Sequence, residues 1–175
     1  MKIFMTFLLL FIFAGIIYSQ EINETKPAES SIQVLLRPFA SAGYSGSLGP
    51  DSHGAGVNAG IQFLLGANKF QRYGIEVSYR NAYAITNPLV NTQFITAGFI
   101  LEQKFAGWFI MGIGTVGYFG IGSNKANPFG VVTNLGWEPT WDKAWAPFIT
   151  FRAEFIFDTH FRQMSSLCCG ISFKL

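Results

Sequence analysis

Charged side chains are scarce in this sequence. Lys, Arg, Asp and Glu together make up 13% of its 175 residues, whereas a typical soluble domain contains about 25%. Half of the residues are hydrophobic, and the formal net charge is only +2. Such a chain cannot cover a water-facing surface with charge, and it lacks the basic patch of a nucleic-acid-binding protein. We therefore expect neither an ordinary soluble domain nor a nucleic-acid partner.

Cysteine is nearly absent as well. The two cysteines, Cys168 and Cys169, are neighbours in the chain. In a strand their side chains point to opposite faces, where they cannot readily form a disulfide. No cysteine or histidine spacing typical of a metal site surrounds them. The sequence therefore predicts no disulfide, no metal and no cofactor.

Beyond its N-terminal region the chain also lacks a hydrophobic run that suits a membrane-spanning helix. The best candidate, residues 105–122, carries no charge but contains six glycines. Each glycine costs a helix about 1 kcal/mol relative to alanine. An apolar chain without helical spans is typical of a transmembrane β-barrel, in which only alternate residues face lipid.

The N-terminus has the layout of a secretory signal peptide. Lys2 precedes an uncharged apolar stretch over residues 3–17, and Ser19 lies in the polar segment that follows. A transmembrane helix needs about 20 apolar residues, which is more than this stretch provides. We predict a signal peptide over 1–19, cleaved near Ser19, and a flexible lead-in over 20–31. An uncleaved membrane anchor is the alternative.

The remaining chain divides into eight segments in which apolar side chains recur at every second position, separated by clusters of Gly, Pro, Asn, Asp and Ser. The predicted strands are 32–43, 55–66, 72–83, 92–104, 107–119, 130–139, 147–158 and 165–175. A tilted strand crosses a bilayer in about 9–11 residues, and bacterial single-chain barrels have an even number of strands. The sequence therefore predicts one all-β domain over 32–175, an eight-stranded antiparallel up-and-down transmembrane β-barrel.

The alternation also assigns the two faces of the strands. In the seventh predicted strand, phenylalanines alternate with Arg152 and Glu154, and the last strand has an apolar residue at every second position up to the C-terminus. We expect the apolar faces to contact lipid, with Phe151, Phe155, Phe157, Phe173 and Leu175 among the lipid-facing residues. In the fifth strand we expect Phe109, Met111 and Ile113 to point outward, and Gly112 and Gly114 inward.

The charges within the strands carry both signs. We predict that Glu76, Arg80, Glu102, Arg152 and Glu154 form a charge network in the interior, which side chains fill in a barrel of eight strands. Opposite charges neutralise each other there through charge-assisted hydrogen bonds. The alternative is that Glu154 with Arg152, or Glu76 with Arg80, acts as a general acid or a ligand clamp. A soluble ligand-binding barrel would reverse the faces, but its outer surface would need more Lys and Glu than the polar faces contain.

Aromatic residues fall near the predicted strand ends, where transmembrane barrels carry interface girdles. These residues are Tyr44, Tyr73, Tyr83, Trp108, Tyr118, Trp137, Trp141 and Trp145. The predicted outer connections cover 44–54, 84–91, 120–129 and 159–164. The predicted inner connections cover 67–71, 105–106 and 140–146.

The signal peptide, the eight alternating strands and the closing segment 167–175 resemble the small outer-membrane β-barrel proteins of the OmpA/OmpX type. In that family the last strand ends in an aromatic residue and is read by the barrel-assembly machinery. Here the alternating positions hold Phe173 and the terminal Leu175. The resemblance implies a location in the bacterial outer membrane, with outer-membrane lipid and the assembly machinery as partners.

We expect a structural or surface-interaction role, in which the outer connections contact a surface ligand. A narrow pore or transport element is the alternative, and a barrel enzyme that modifies the acyl chains of lipid A is a minor one. Asp158, His160 and Ser165 or Ser166 could be imagined as a triad, but closeness along a loop does not establish triad geometry. We therefore predict no catalytic residues and no enzymatic activity.

Overall fold

The computed structural model describes residues 32–47, 54–66, 70–84, 91–105, 107–121, 127–139, 144–157 and 162–175. Residues 32–175 form one compact unit. The predicted signal peptide and lead-in, 1–19 and 20–31, lie outside the described residues. No helix among those residues is long and apolar enough to cross a membrane.

Eight strands follow one another along the chain, and the eight predicted strands are confirmed with ends that move by a few residues. The strands are β1 Gln33–Ser47, β2 Gly54–Gly66, β3 Gln71–Ala84, β4 Asn91–Phe105, β5 Phe109–Gly120, β6 Phe129–Trp137, β7 Trp145–Phe157 and β8 Arg162–Lys174. The shortest strand, β6, has 9 residues, and β1 and β4 have 15 each.

Each strand pairs antiparallel with the next, and β8 pairs back with β1, so the sheet closes into a barrel in the order β1 to β8. Closure leaves no exposed sheet edge. We call the end of the barrel that holds Gln33 and Lys174 the terminal end, and the opposite end the loop end. At the terminal end, Gly107 has a φ of 78° in the turn between β4 and β5, a backbone conformation that glycine adopts without steric cost.

The distribution of side chains is the reverse of that in a soluble domain. Along β7, the outward positions hold Ile149, Phe151 and Phe157, which are 41%, 51% and 51% exposed. The inward positions hold Arg152 and Glu154, which are 1% and 0% exposed. A period of two along β7 therefore places apolar residues on the outer wall and the charged pair in the interior, beside the buried Phe148.

In β5, inward-facing and outward-facing residues alternate as they do in β7. Ile110, Val116 and Tyr118 are buried in the interior. A Cβ atom at Gly112 would lie 3.2 Å from the Cγ of Glu102, an interior side chain, so this glycine faces inward as predicted. Phe109, Met111 and Ile113 occupy the opposite, outward positions and are half-buried.

Aromatic residues line both ends of the outer wall. Tyr73, Trp108, Trp137 and Trp145 are exposed at the terminal end, and Tyr44 and Tyr83 at the loop end. Trp141 lies outside the described residues. The prediction that Tyr118 belongs to the interface girdle was wrong, because this residue is on the inward face of β5 and is only 1% exposed.

Candidate functional site

The barrel interior holds an unusual density of buried charge. Five cations and four carboxylates are each at most 4% exposed: Arg37, Arg72, Arg80, Lys104, Arg152, Glu76, Glu102, Glu138 and Glu154. Small apolar clusters pack beside them, one of Phe39, Phe148 and Cys168 and one of Phe94, Val116 and Tyr118. Burying a charge carries a large free-energy cost unless the charge is paired. The nearly equal numbers of cations and carboxylates allow most of these charges to be paired.

Arg37 organises the half of the interior nearer the terminal end. Its guanidinium lies 2.7 Å from a carboxylate oxygen of Glu102 and 2.7 Å from one of Glu138. The same group donates to Ser172 Oγ at 3.0 Å and to Gln62 Oε1 at 3.2 Å. Arg37 therefore connects β1 with side chains from four other parts of the barrel wall.

Glu138 brings a second cation into this group. Its Oε2 atom lies 3.0 Å from Arg72 Nη2, as well as beside Arg37. Glu138 immediately follows β6, whereas Arg72 is the second residue of β3. The ion pair therefore crosses the barrel at its terminal end.

Glu154 organises the half nearer the loop end. Both of its oxygens accept hydrogen bonds from Arg80, of which the one from Nη2 is 2.5 Å long. Arg152 Nε donates to it at 2.6 Å, and the hydroxyl of Tyr118 donates to Oε2. Arg152 also forms a two-pronged pair with Glu76, with both N–O distances at 2.7 Å. This planar geometry is the strong form of an arginine–carboxylate interaction.

Gln62 joins the two halves. Its amide oxygen accepts from Arg37, and its amide nitrogen donates to Glu76 Oε2 at 2.7 Å. Gln62 and Glu76 are direct neighbours across β2 and β3. The polar side chains thus form one continuous network along the interior, from Arg72 at the terminal end to Tyr118 near the loop end.

Two of the guanidinium groups also lie over the faces of aromatic rings. The guanidinium carbon of Arg37 lies 4.6 Å from the ring centre of Phe148, and that of Arg80 lies 5.3 Å from the ring centre of Tyr118. Cation–π contacts of this kind favour a desolvated cation over the ring face. They also hold the planar groups in orientation for their carboxylate partners.

The five residues predicted for the network, Glu76, Arg80, Glu102, Arg152 and Glu154, all lie buried within it. Of the two neighbouring pairs considered, Arg152 and Glu154 do form an ion pair. Glu76 is instead paired with Arg152, and Arg80 with Glu154.

The network has further members that were not among the predicted five: Arg37, Gln62, Arg72, Tyr118, Glu138 and Ser172. Their inward parity was the signal that could have found them. Lys174 is exposed at the end of β8.

Of the residues considered for a catalytic triad, the structure describes only the two serines. Ser165 is half-buried with outward parity, whereas Ser166 is buried in the interior. Asp158 and His160 lie outside the described residues. Among the residues that the structure describes, no group of three or more His, Cys, Asp or Glu could hold a metal ion.

Comparison with known proteins identifies the fold. No model of a known protein family matches the sequence, and no curated protein matches it. The crystal structure of Neisserial surface protein A is similar, with a TM-score of 0.55 and 12% identity over 81% of this chain and 97% of that one. A designed transmembrane β-barrel is also similar, with a TM-score of 0.51 and 11% identity over 81% of this chain and 95% of the designed one.

These matches show that the chain has the fold of the small eight-stranded transmembrane β-barrels. This is the fold that the resemblance to OmpA/OmpX-type proteins implied.

Proposed function

We propose that this chain is a small integral protein of the bacterial outer membrane, with a closed interior and a structural or surface-interaction role carried by its outer connections. The observation that supports the proposal is the reversed distribution of side chains. The ion network is buried inside the barrel, whereas large apolar residues cover the outside.

The outer wall suits lipid and not water. In the middle of the barrel, Ile75, Val77, Ile95 and Phe99 are between 47% and 55% exposed on adjacent strands. Soluble monomers rarely expose contiguous apolar patches above a few hundred Å². Tyr and Trp residues near both ends match the interface girdles of transmembrane barrels. Outer-membrane lipid is therefore the first partner that we propose.

The closed interior favours surface interaction over transport. Arg37 and Arg152 reach across the interior to carboxylates on other strands, and a barrel of eight strands leaves little room beyond its side chains. The connections at the loop end, 48–53, 85–90, 122–126 and 158–161, lie outside the described residues. We propose that these connections contact the surface ligand.

We further propose that the protein has no enzymatic activity. Within the interior, Glu76 and Glu154 are both engaged by arginine, so neither is a free general acid or ligand clamp. We also propose that the barrel-assembly machinery reads β8. Phe173 on the outward face of β8 is 40% exposed, and Leu175, which follows the strand, is 72% exposed.

The first test is location. In a bacterial host with an outer membrane, we expect the protein to fractionate with that membrane. We also expect unheated samples to migrate differently from boiled ones on a denaturing gel, because a closed barrel resists detergent until heated. Recovery in the soluble periplasmic fraction, with no shift on heating, would contradict the membrane proposal.

The second test separates a surface protein from a pore. In planar bilayers we expect the purified protein to give no steady current, because the network fills the interior. The double variant Arg37→Ala/Arg152→Ala removes two of the side chains that cross the interior and should produce measurable current. The matched outer-wall variant Ile75→Ala/Val77→Ala should remain silent. Steady current through the unaltered protein would favour the narrow-pore alternative.

A further inference from the structure

The barrel wall closes where β1 pairs with β8, and this seam has a gap in its backbone ladder. The cross-strand pairs keep one register from Leu35 to Ser47. Within that stretch, Arg37 and Pro38 have no backbone pair on β8, although both pair with β2 on the other side of β1. The interruption therefore belongs to the closing seam and not to β1 as a whole.

Proline explains the gap. The N–H of Leu175 donates to the carbonyl of Val34 at 2.9 Å, so the hydrogen-bonded pairs of this seam fall at the even-numbered residues of β1. By the register, Pro38 stands at such a position opposite Ile171, and proline has no N–H to donate. The seam therefore lacks one ladder hydrogen bond, to the carbonyl of Ile171.

A second proline at the same level does not remove a ladder bond. Pro147 on β7 pairs with Ile171 from the other side. Because Lys174 N–H donates to Ala144 C=O at 2.9 Å, the hydrogen-bonded pairs here fall at even-numbered residues of β7. The nitrogen of Pro147 therefore faces β6, whose described pairing with β7 begins only at Ile149.

Arg37 supplies a side-chain bond where the backbone bond is missing. Its Nε donates to Ser172 Oγ at 3.0 Å, across the seam from β1 to β8. Both residues are buried, at 1% and 3% exposure. The same guanidinium is anchored to Glu102 and Glu138, so the bond ties the end of β8 to the interior network.

We propose that residues 171–175, which we call the strap, separate from β1 before the rest of the barrel opens, and that Arg37 latches the strap through Ser172. Below the gap, the strap is held to β1 by backbone pairs at Leu35 and Leu36 and by the bond from Leu175 to Val34. On its other side it pairs with the start of β7, before the pairing of β7 with β6 begins at Ile149. The strap is thus held by two short ladder segments and one side-chain latch.

Amide hydrogen exchange of the full chain in detergent micelles, followed by NMR, tests this proposal. The amides of Ile171 and Phe173 face β1 in the ladder, and those of Arg72 and Glu102 face each other at the same end of the β3–β4 seam. We expect the strap amides to exchange at least about tenfold faster, the effect of one net hydrogen bond. Equal rates in the two seams would overturn the proposal.

Two proline variants form a matched pair. Pro38→Ala restores the missing donor and should slow exchange at Ile171 and Phe173 by about tenfold, with Arg72 and Glu102 unchanged. Pro147→Ala makes the same chemical change at the same level but restores no ladder bond, and should leave Ile171 unchanged. Equal effects of the two variants, or equal slowing in every strand, would contradict a local gap.

Ser172→Ala tests the latch separately. It removes the acceptor of Arg37 Nε while leaving the ion pairs of Arg37 intact, and should speed exchange at Phe173 by several fold, with Glu102 unchanged. This variant remains informative if Pro38→Ala fails to fold. Unchanged exchange at Phe173 in Ser172→Ala would show that Arg37 does not latch the strap.

Discussion

Replacing Phe151 with arginine should prevent most of the protein from folding into lipid vesicles, whereas the same replacement at Phe157 should be tolerated. Both phenylalanines are on the outer wall of β7 and are 51% exposed. Phe151 is the central residue of the strand, whereas Phe157 is its last. Arginine on the lipid face costs about 2–4 kcal/mol at the bilayer midplane but only about 0–1 kcal/mol near an interface.

The measurement is the fraction of protein folded in vesicles, read from the gel shift between unheated and boiled samples. Phe151→Ala provides the control for loss of the ring alone, and should fold better than Phe151→Arg. A soluble barrel would leave both outer positions in water, where arginine is tolerated. Equal folding of Phe151→Arg and Phe157→Arg would therefore contradict the membrane proposal.

Replacing Glu154 with alanine should lower the free energy of unfolding by about 3–5 kcal/mol, the usual cost of breaking a buried ion pair by removing one partner. Glu154 is fully buried and accepts hydrogen bonds from Arg80, Arg152 and Tyr118. Its removal leaves Arg80 without a carboxylate. Arg152 keeps its two hydrogen bonds to Glu76.

The double variant Arg80→Met/Glu154→Leu should be less destabilised than Glu154→Ala, because it removes the cation together with its partner. Denaturant titration in vesicles, with folding followed by tryptophan fluorescence, measures both. Glu154→Gln keeps the volume and should fall between the two. If the double variant were the least stable of the three, the stabilising contribution would lie in the charges themselves and not in their mutual compensation.

The strands and their faces could be predicted from the sequence because both depend on a local pattern. A period of two fixes which side chains share a face, as in Tyr73, Ile75 and Val77 on the outer wall of β3. Turn residues then limit where each strand ends. The inward position of Glu76, Arg80 and Arg152 follows from the same parity, and so does the closed barrel, once eight such strands are present.

The pairs that cross the interior could not be predicted in this way. Arg152 binds Glu76 from β3, and Arg80 binds Glu154 from β7, so each pair joins strands far apart in the chain. Such contacts depend on the curvature of the closed wall and on side-chain length. The gap at Pro38 could be found only once the register of β1 against β8 was known, and these are the two strands most distant in sequence.

The division of the interior into two ion groups joined by Gln62 has a consequence for sequence divergence. Arg80 and Arg152 balance Glu76 and Glu154 in the loop-end half without help from the terminal-end half. A compensated substitution in one half that leaves the Gln62 bridge in place therefore retains the ion pairs of the other half. A barrel built this way can exchange its interior charges pair by pair and keep its fold.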